Sequence, residues 1–311
     1  MRSRVDPPAL RLIDSQSTTQ PSDLPQAIPV PRDELPYPVG RAVRALSLSS
    51  DGRDTYEAIL DTAEALIVSL GIVSASWLRH FGSESRAMTE LGRAYLGRGV
   101  SQGHWLELAR EAERQSGKNG SALPGLADGV RQRKGGTGVI PDLRQLLEER
   151  NRWAHGAKPA TPTEANMRSR EYRVFLDRAL ADCSFLSRSP WILVEGCSYI
   201  RRERTFRVRA QLAMGDHPEF ERLTITSSAP LADDTFYLVG NGHAIDLSPF
   251  VVMRFCEMCR QPEMFYADRL DRKRRTSLKS FARGHVLFDP DLDPDIRALG
   301  HSPGDDAAES T

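Results

Sequence analysis

Four cysteines in 311 residues are too few to staple a chain of this length, so its fold rests on a buried core and its thiols are candidates for metal or redox chemistry. Lysine is nearly missing, with only Lys118, Lys134, Lys158, Lys273 and Lys279 among 42 basic residues, a bias of coding composition rather than mechanism. Net charge is missing too. Forty-two acidic residues balance the basic ones, which excludes a globally basic nucleic-acid coat and an acidic solvating tail protein. No run approaches the roughly 18 uninterrupted apolar residues of a membrane span, and the opening Met1-Arg2-Ser3-Arg4-Val5-Asp6-Pro7-Pro8 lacks a secretion signal's apolar stretch. The expectation is a cytoplasmic protein without a membrane partner. No serine nucleophile elbow or paired-carboxylate motif occurs. Lys134-Gly135-Gly136-Thr137-Gly138 is not a phosphate-binding loop, because its lysine precedes the glycines, and it reads as a flexible loop.

What is present divides the chain into four parts. Residues 1–48 are dense in proline, from Pro7 and Pro8 to Pro36 and Pro38, and read as an extended, disordered arm. From 49 to 188 the apolar residues recur every three or four positions. Tyr56, Ile59, Leu60, Ala63, Leu66, Ile67 and Leu70 follow a cap among Ser49, Ser50 and Asp51. Later stripes run through Trp105, Leu108 and Ala112, through Leu143, Leu146 and Trp153, and through Tyr172, Leu176, Leu180 and Cys183. These predict an antiparallel helical bundle whose third major helix begins at Pro141. From 189 to 288 the period becomes two. Phe206, Val208, Ala210 and Leu212 alternate with polar residues, and Gly240-Asn241-Gly242 marks a hairpin between two further strands. The remaining 289–311 form an acidic tail, frayed or folded over the basic stretch before it. The fold class expected is α+β, a helical bundle followed by a smaller β-rich domain.

The informative segment closes the third bundle helix: Glu148-Glu149-Arg150-Asn151-Arg152-Trp153-Ala154-His155-Gly156. Arg followed by Asn, three residues and His is a constellation that random placement seldom gives in a chain with four asparagines. It resembles the signature of the HEPN superfamily of small α-helical bundles, which Arg150, Asn151 and His155 match one by one. Ser101-Gln102-Gly103-His104-Trp105-Leu106-Glu107-Leu108 also looks like a helix opening found in a subset of that superfamily. The resemblance implies a metal-independent endoribonuclease. It further implies a homodimer with two motifs lining one cleft, RNA as substrate, and a place in bacterial antiviral defence or a toxin system. Other members serve only as dimerisation or adaptor modules for a defence or signalling partner protein.

The residue chemistry stands beside the name. Cleaving RNA without metal requires a group to take the 2′-hydroxyl proton, a group to protonate the leaving 5′-oxygen, and positive charge on the transition state. His155 is the general acid/base candidate, its imidazolium favoured by a helix C-terminus. Arg150 would fork onto phosphate oxygens and Asn151 would orient ribose, phosphate or imidazole. On one ideal helix, positions 150 and 155 point about 140° apart, which favours a composite site across a dimer or an unwound last turn. Arg150 also continues the apolar stripe of Leu143, so it must be paired or face a cleft. The structural alternative pairs Arg150 with Glu64 or Glu111 and leaves His155 as a solvent-facing cap.

Two further features belong to the β region. Cys256-Glu257-Met258-Cys259 is a Cys-x-x-Cys turn of the kind found in half a zinc ribbon. It is either a structural zinc site, for which Cys197 and His285 are the only plausible completions, or a ligand-free turn. The basic stretch Arg269, Arg272, Lys273, Arg274, Arg275, Lys279 and Arg283 either tracks an RNA backbone, together with Arg152, or forms a solvated hairpin tip.

Overall fold

The computed structural model describes residues 10–12, 30–119 and 123–300. Its helical part comprises α1 (Tyr37–Leu48), α2 (Gly52–Phe81), α3 (Arg86–Leu96), α4 (Gln102–Asn119), α5 (Leu126–Val130), α6 (Val139–Ala154) and α7 (Pro162–Asp182). The Asp51 carboxylate caps α2 by accepting from the amides of Arg53 and Asp54, so the expected start is met. α2 runs through the centre, packed by α1, α4, α6 and α7. By length and composition it could cross a membrane, but its most apolar stretch is 83% buried inside the protein. Gly71 permits the closest approach, since a Cβ there would lie 2.5 Å from that of Trp105 on α4.

The β-rich part holds two antiparallel sheets. The first has the order β1-β4-β3-β2-β5-β6, built from β1 (Leu10–Leu12), β2 (Trp191–Ile200), β3 (Thr205–Leu212), β4 (Glu221–Ser227), β5 (Phe236–Gly240) and β6 (His243–Asp246). The second is β10-β9-β8-β7, from β7 (Val251–Cys256), β8 (Gln261–Leu270), β9 (Thr276–Ser280) and β10 (Val286–Phe288). The expected α+β architecture is therefore present, with the helical bundle first. Val208 and Ala210 are buried while Arg207 and Arg209 are exposed, and Asn241 and Gly242 take the positive φ that a two-residue hairpin turn needs.

One continuous core joins the bundle to the second sheet, running from Tyr56, Leu66 and Trp77 through Trp105 to Phe250, Phe265 and Leu278. A smaller core lies on the other face of the first sheet, around Ile192, Val194, Val208 and Ile225. Polar ties cross the junction: Tyr95 Oη donates to the Ala267 carbonyl, and the Val100 amide to that of Asp268. The division at residue 189 separates secondary structure types, not packing units.

Both ends of the chain depart from expectation. α1 occupies the last part of the stretch read as an extended arm, with Val39, Val43 and Leu46 buried; residues 1–9 and 13–29 of that arm lie outside the described residues. Pro38 sits in the first turn of α1, where a missing amide hydrogen costs nothing, so proline there starts a helix instead of preventing one. In the acidic tail, α8 (Asp293–Gly300) packs on α3 with Ile296 buried, and Asp293 accepts from the Thr276 amide at 2.6 Å. The Arg297 guanidinium reaches the Arg274 carbonyl at 2.8 Å, so this part of the tail does fold over the basic turn. Residues 301–311 lie outside the described residues.

Candidate functional site

α6 buries Val139, Ile140, Leu143 and Leu146 along one stripe. It starts two residues before Pro141 and stops at His155, whose amide still bonds back to the Asn151 carbonyl. Gly156, at φ +95°, then closes the end: its amide meets the Trp153 carbonyl, and the Ala157 amide meets that of Arg152. This double closure needs a residue in the left-handed region, which glycine supplies without a Cβ clash. The helix therefore ends cleanly, and its last turn does not unwind to swing Arg150 toward His155.

Arg150 is both paired and in a cleft. Its Nη2 lies 3.1 Å from Glu64 Oε2 on α2, and Lys279 Nζ from β9 lies 2.7 Å from Glu64 Oε1. One carboxylate thus holds two cations from two different parts of the fold. Burial alone would raise the Glu64 carboxyl, but Lys279 and Arg150 outweigh it and hold the group below the ordinary value. These three residues border two adjoining cavities. The larger, about 590 Å³, also has Arg41, Asp61 and Arg283 in its wall, and the smaller, about 370 Å³, has Asn151, Gln102 and Asp268.

Asn151 and His155 are exposed, one turn apart, and neither side chain makes a hydrogen bond or ion pair among the described residues. His155 lines neither of the two cavities that Arg150 lines. Within one chain, then, Arg150 and Asn151 come together at the smaller cavity while His155 faces solvent beyond it. Of the two carboxylates considered for Arg150, Glu64 is the partner; Glu111 is bound by Arg114.

The neighbour that sequence reasoning missed is Glu149. It is 2% exposed, and it accepts from Tyr56 Oη at 2.7 Å, Arg168 Nη1 at 3.0 Å and Arg152 Nη2 at 2.8 Å. Arg168 is held in turn by Glu164 at 2.5 Å, and Arg152 also reaches Tyr172 Oη at 2.7 Å. Burial and the carboxylate together push the Tyr172 phenol up to about 12. Arg152, read as an RNA contact, is thereby committed to the bundle. The signal available was the pair Glu148-Glu149, of which only the second falls on the buried stripe.

The basic stretch is also partly committed. Arg275 pairs with Asp271 at 2.7 Å and lies over the Phe288 ring at 4.2 Å, while Lys279 and Arg283 are bound by Glu64 and Glu263. Arg272, Lys273 and Arg274 are exposed in the turn between β8 and β9, without side-chain partners among the described residues. A second basic surface was not anticipated. On the β2–β3 hairpin, Arg201, Arg202 and Arg204 in the turn and Arg207 and Arg209 along β3 are all exposed, and none has a hydrogen-bond or ion-pair partner for its guanidinium among the described residues.

The Cys-x-x-Cys turn lies between β7 and β8. Arg260, at φ +56°, closes it by donating its amide to the Cys256 carbonyl at 2.7 Å. The β9–β10 turn brings His285 against it, with Nδ1 3.3 Å from Cys256 Sγ, while Glu263 on β8 accepts from Cys259 Sγ at 2.9 Å. One ligand atom from each of Cys256, Cys259, Glu263 and His285 fits within 4.8 Å of all the others, so this cluster could hold a metal ion. Of the two completions expected, His285 is the one present. Cys197 sits in β2 of the other sheet, packed against the smaller core, and Glu263 joins the cluster in its place. No family model, curated protein or solved structure matches this chain.

Proposed function

We propose that the helical part is a metal-independent endoribonuclease of the HEPN kind, cytoplasmic and serving antiviral defence or a toxin system, with a site completed by a second copy of the chain. The observation that carries this reading is the end of α6, where Asn151 and His155 stand in solvent one turn apart, unpartnered among the described residues, beside a cleft that contains Arg150. Single-chain geometry separates Arg150 from His155, so two copies must bring the arginine of one to the histidine of the other. The 2′-oxygen would then attack phosphorus as the bond to the 5′-oxygen breaks. One His155 imidazole takes the 2′-hydroxyl proton, and His155 of the partner subunit gives a proton to the leaving oxygen, leaving a cyclic phosphate. Arg150 would stabilise the phosphorane charge after exchanging Glu64 for phosphate. The free arginines of the β2–β3 hairpin offer the RNA backbone a landing surface.

A second reading is favoured by the Glu64 bridge itself. An arginine already neutralised by a carboxylate, with Lys279 on the same group, suits a non-catalytic adaptor whose bundle docks a defence or signalling partner. The test is cleavage of a mixed RNA panel by purified protein in excess EDTA, with metal content measured before and after, for wild type and His155→Ala. Cyclic or 3′-phosphate ends that vanish in the variant support the enzyme. Intact RNA with wild-type dimers at every concentration supports the adaptor.

For the Cys256, Cys259, Glu263 and His285 cluster we propose zinc. Two thiolates with one imidazole and one carboxylate suit an ion of borderline softness that favours tetrahedral coordination. This zinc takes no part in RNA cleavage.

A further inference from the structure

We infer that Glu263 is the fourth zinc ligand, and that the ion fastens the β7–β8 turn to the β9–β10 turn, which forms one wall of the cleft around Arg150. The inference rests on the zinc reading above and not on the ribonuclease reading.

Distance comes first. Zinc bonds of about 2.3 Å to sulfur and about 2.0–2.1 Å to nitrogen or oxygen make a tetrahedron with edges of roughly 3.3–3.8 Å. The four donors already lie within 4.8 Å of each other, with Cys256 Sγ and His285 Nδ1 at 3.3 Å. Closing the cage shortens the longest donor separation by at most about 1.5 Å, shared between two side chains. Three of the donors belong to one hairpin, Cys256 at the end of β7, Cys259 in the turn and Glu263 on β8, and His285 is brought to them by a separate turn.

Glu263 supplies an independent observation. Its side chain is 3% exposed, and its two oxygens are treated differently: Oε1 accepts from Cys259 Sγ and from Arg283 Nη1 at 2.7 Å, whereas Oε2 makes no hydrogen bond among the described residues. A buried carboxylate oxygen without a donor is costly, and Oε2 lies on the His285 side, 3.9 Å from Nδ1. A cation at the cluster would satisfy it. Charge closes as well. Zinc binding displaces the two thiol protons, so two thiolates and one carboxylate around a divalent ion leave one negative charge, which Arg283 balances. A neutral assembly is what a buried site requires.

The turn that carries His285 also builds the cleft. Lys279, Ser280, Phe281, Ala282, Arg283 and Gly284 line the cavity of about 590 Å³, opposite Asp61, Glu64 and Arg150. The turn is closed by the Ser280 amide on the His285 carbonyl and by the Ser280 hydroxyl, which accepts from the amides of Ala282 and Arg283. It is joined to β8 by the Phe281 amide on the Met264 carbonyl. Zinc would add a link at its far end, fixing the wall that presents Lys279 to Glu64.

The test uses the full chain purified without nickel affinity or added metal. Elemental analysis should find about one zinc per chain in wild type and in Cys197→Ser, and none in Cys259→Ser. Zinc affinity, read by competition with a chromophoric chelator, should fall more than about 100-fold in Glu263→Gln, beyond the loss expected for an outer-sphere group. Wild-type protein loaded with cobalt(II) should show the intense visible bands of a tetrahedral thiolate site, a readout that survives if the variants fail to fold. Amide exchange at Ser280–His285 should quicken when zinc is removed. Wild-type protein with little zinc, or with zinc that dialyses away and leaves the melting temperature unchanged, overturns the site. An unchanged affinity in Glu263→Gln overturns the ligand set, and unchanged exchange in the turn overturns the fastening role.

Discussion

The end of α6 and the turns of the second sheet gather polar side chains in opposite ways. Arg150, Asn151 and His155 are near neighbours in sequence, yet a helix of 3.6 residues per turn sends the first toward the cleft between bundle and sheet and the last into solvent. Cys256, Cys259, Glu263 and His285 span 30 positions, yet antiparallel register folds them onto one point. A helix converts spacing into direction, so a motif written along it predicts angles. Adjacent hairpins convert register into proximity, so distant residues meet. This is why the proposed ribonuclease reading asks for a second copy of the chain, while the four residues of the candidate metal cluster meet within one.

The first way to break this comparison is to remove what holds each region. At the end of α6 that is Glu149, whose loss would leave the buried Tyr56 hydroxyl without its acceptor and Arg168 without one of its two carboxylates. Glu149→Ala should cost about 3 kcal/mol in urea unfolding, because a stranded buried group loses its full solvation. Cys259→Ser, compared with metal-free wild type, should cost less than about 1 kcal/mol, since without an ion the thiol makes a single hydrogen bond. A large loss at both positions would mean that the knuckle is held by packing and owes nothing to an ion.

A smaller effect is expected where the two regions meet. Glu64 carries a depressed carboxyl pKa, so its stabilisation is present above the ordinary carboxylate value near 4.5 and fades as the pH falls through the lower folded value. Glu64→Gln should therefore destabilise the protein by about 1–2 kcal/mol at pH 7. Wild type and variant should converge in acid, as the pH falls from the ordinary carboxylate value through the lower folded one. Urea titrations across that range check the sign. A gap that persists in acid would show that Gln fails for shape, not charge, and that the bridge from Arg150 to Lys279 is not electrostatic.

The parts of this molecule that were legible in sequence share one property, a local pattern that packing had no reason to override. The Asp51 cap, the stripe of α2, the Gly240-Asn241-Gly242 turn and the Cys-x-x-Cys turn are of this kind. α3 escaped because Gly92 interrupts its face and only Leu91, Gly92 and Tyr95 are buried, and α5 because five residues cannot show a period. β2 escaped because a bulge between Val194 and Gly196 shifts its alternation halfway along. In the candidate sites, the Arg150 partner was among the two carboxylates weighed, since Glu64 lies on the facing stripe of α2. Glu263 was not weighed, because only the folded turn shows its carboxylate accepting from Cys259 Sγ. The free arginines of the β2–β3 hairpin were illegible for a different reason: whether an arginine has a carboxylate partner is a property of tertiary structure alone.

That last distinction gives the finest test, a comparison of two basic surfaces. If RNA lies along the β2–β3 hairpin, each guanidinium that neutralises a phosphate contributes about 0.7 to the slope of log affinity against log salt on a single strand. Replacing Arg201, Arg202, Arg204, Arg207 and Arg209 by Gln should lower that slope by up to about 3.5, with little change in stability because none of the five is paired among the described residues. Replacing Arg272, Lys273 and Arg274 should lower it by about 2 at most. Fluorescence anisotropy with a labelled single strand at four or five salt concentrations measures both, using His155→Ala protein so that the strand stays whole. The larger drop identifies the surface that faces the nucleic acid. A slope unmoved by either set would remove RNA from both surfaces and leave the adaptor reading with the stronger claim, because a nuclease draws in its polyanion through basic groups that neutralise phosphates.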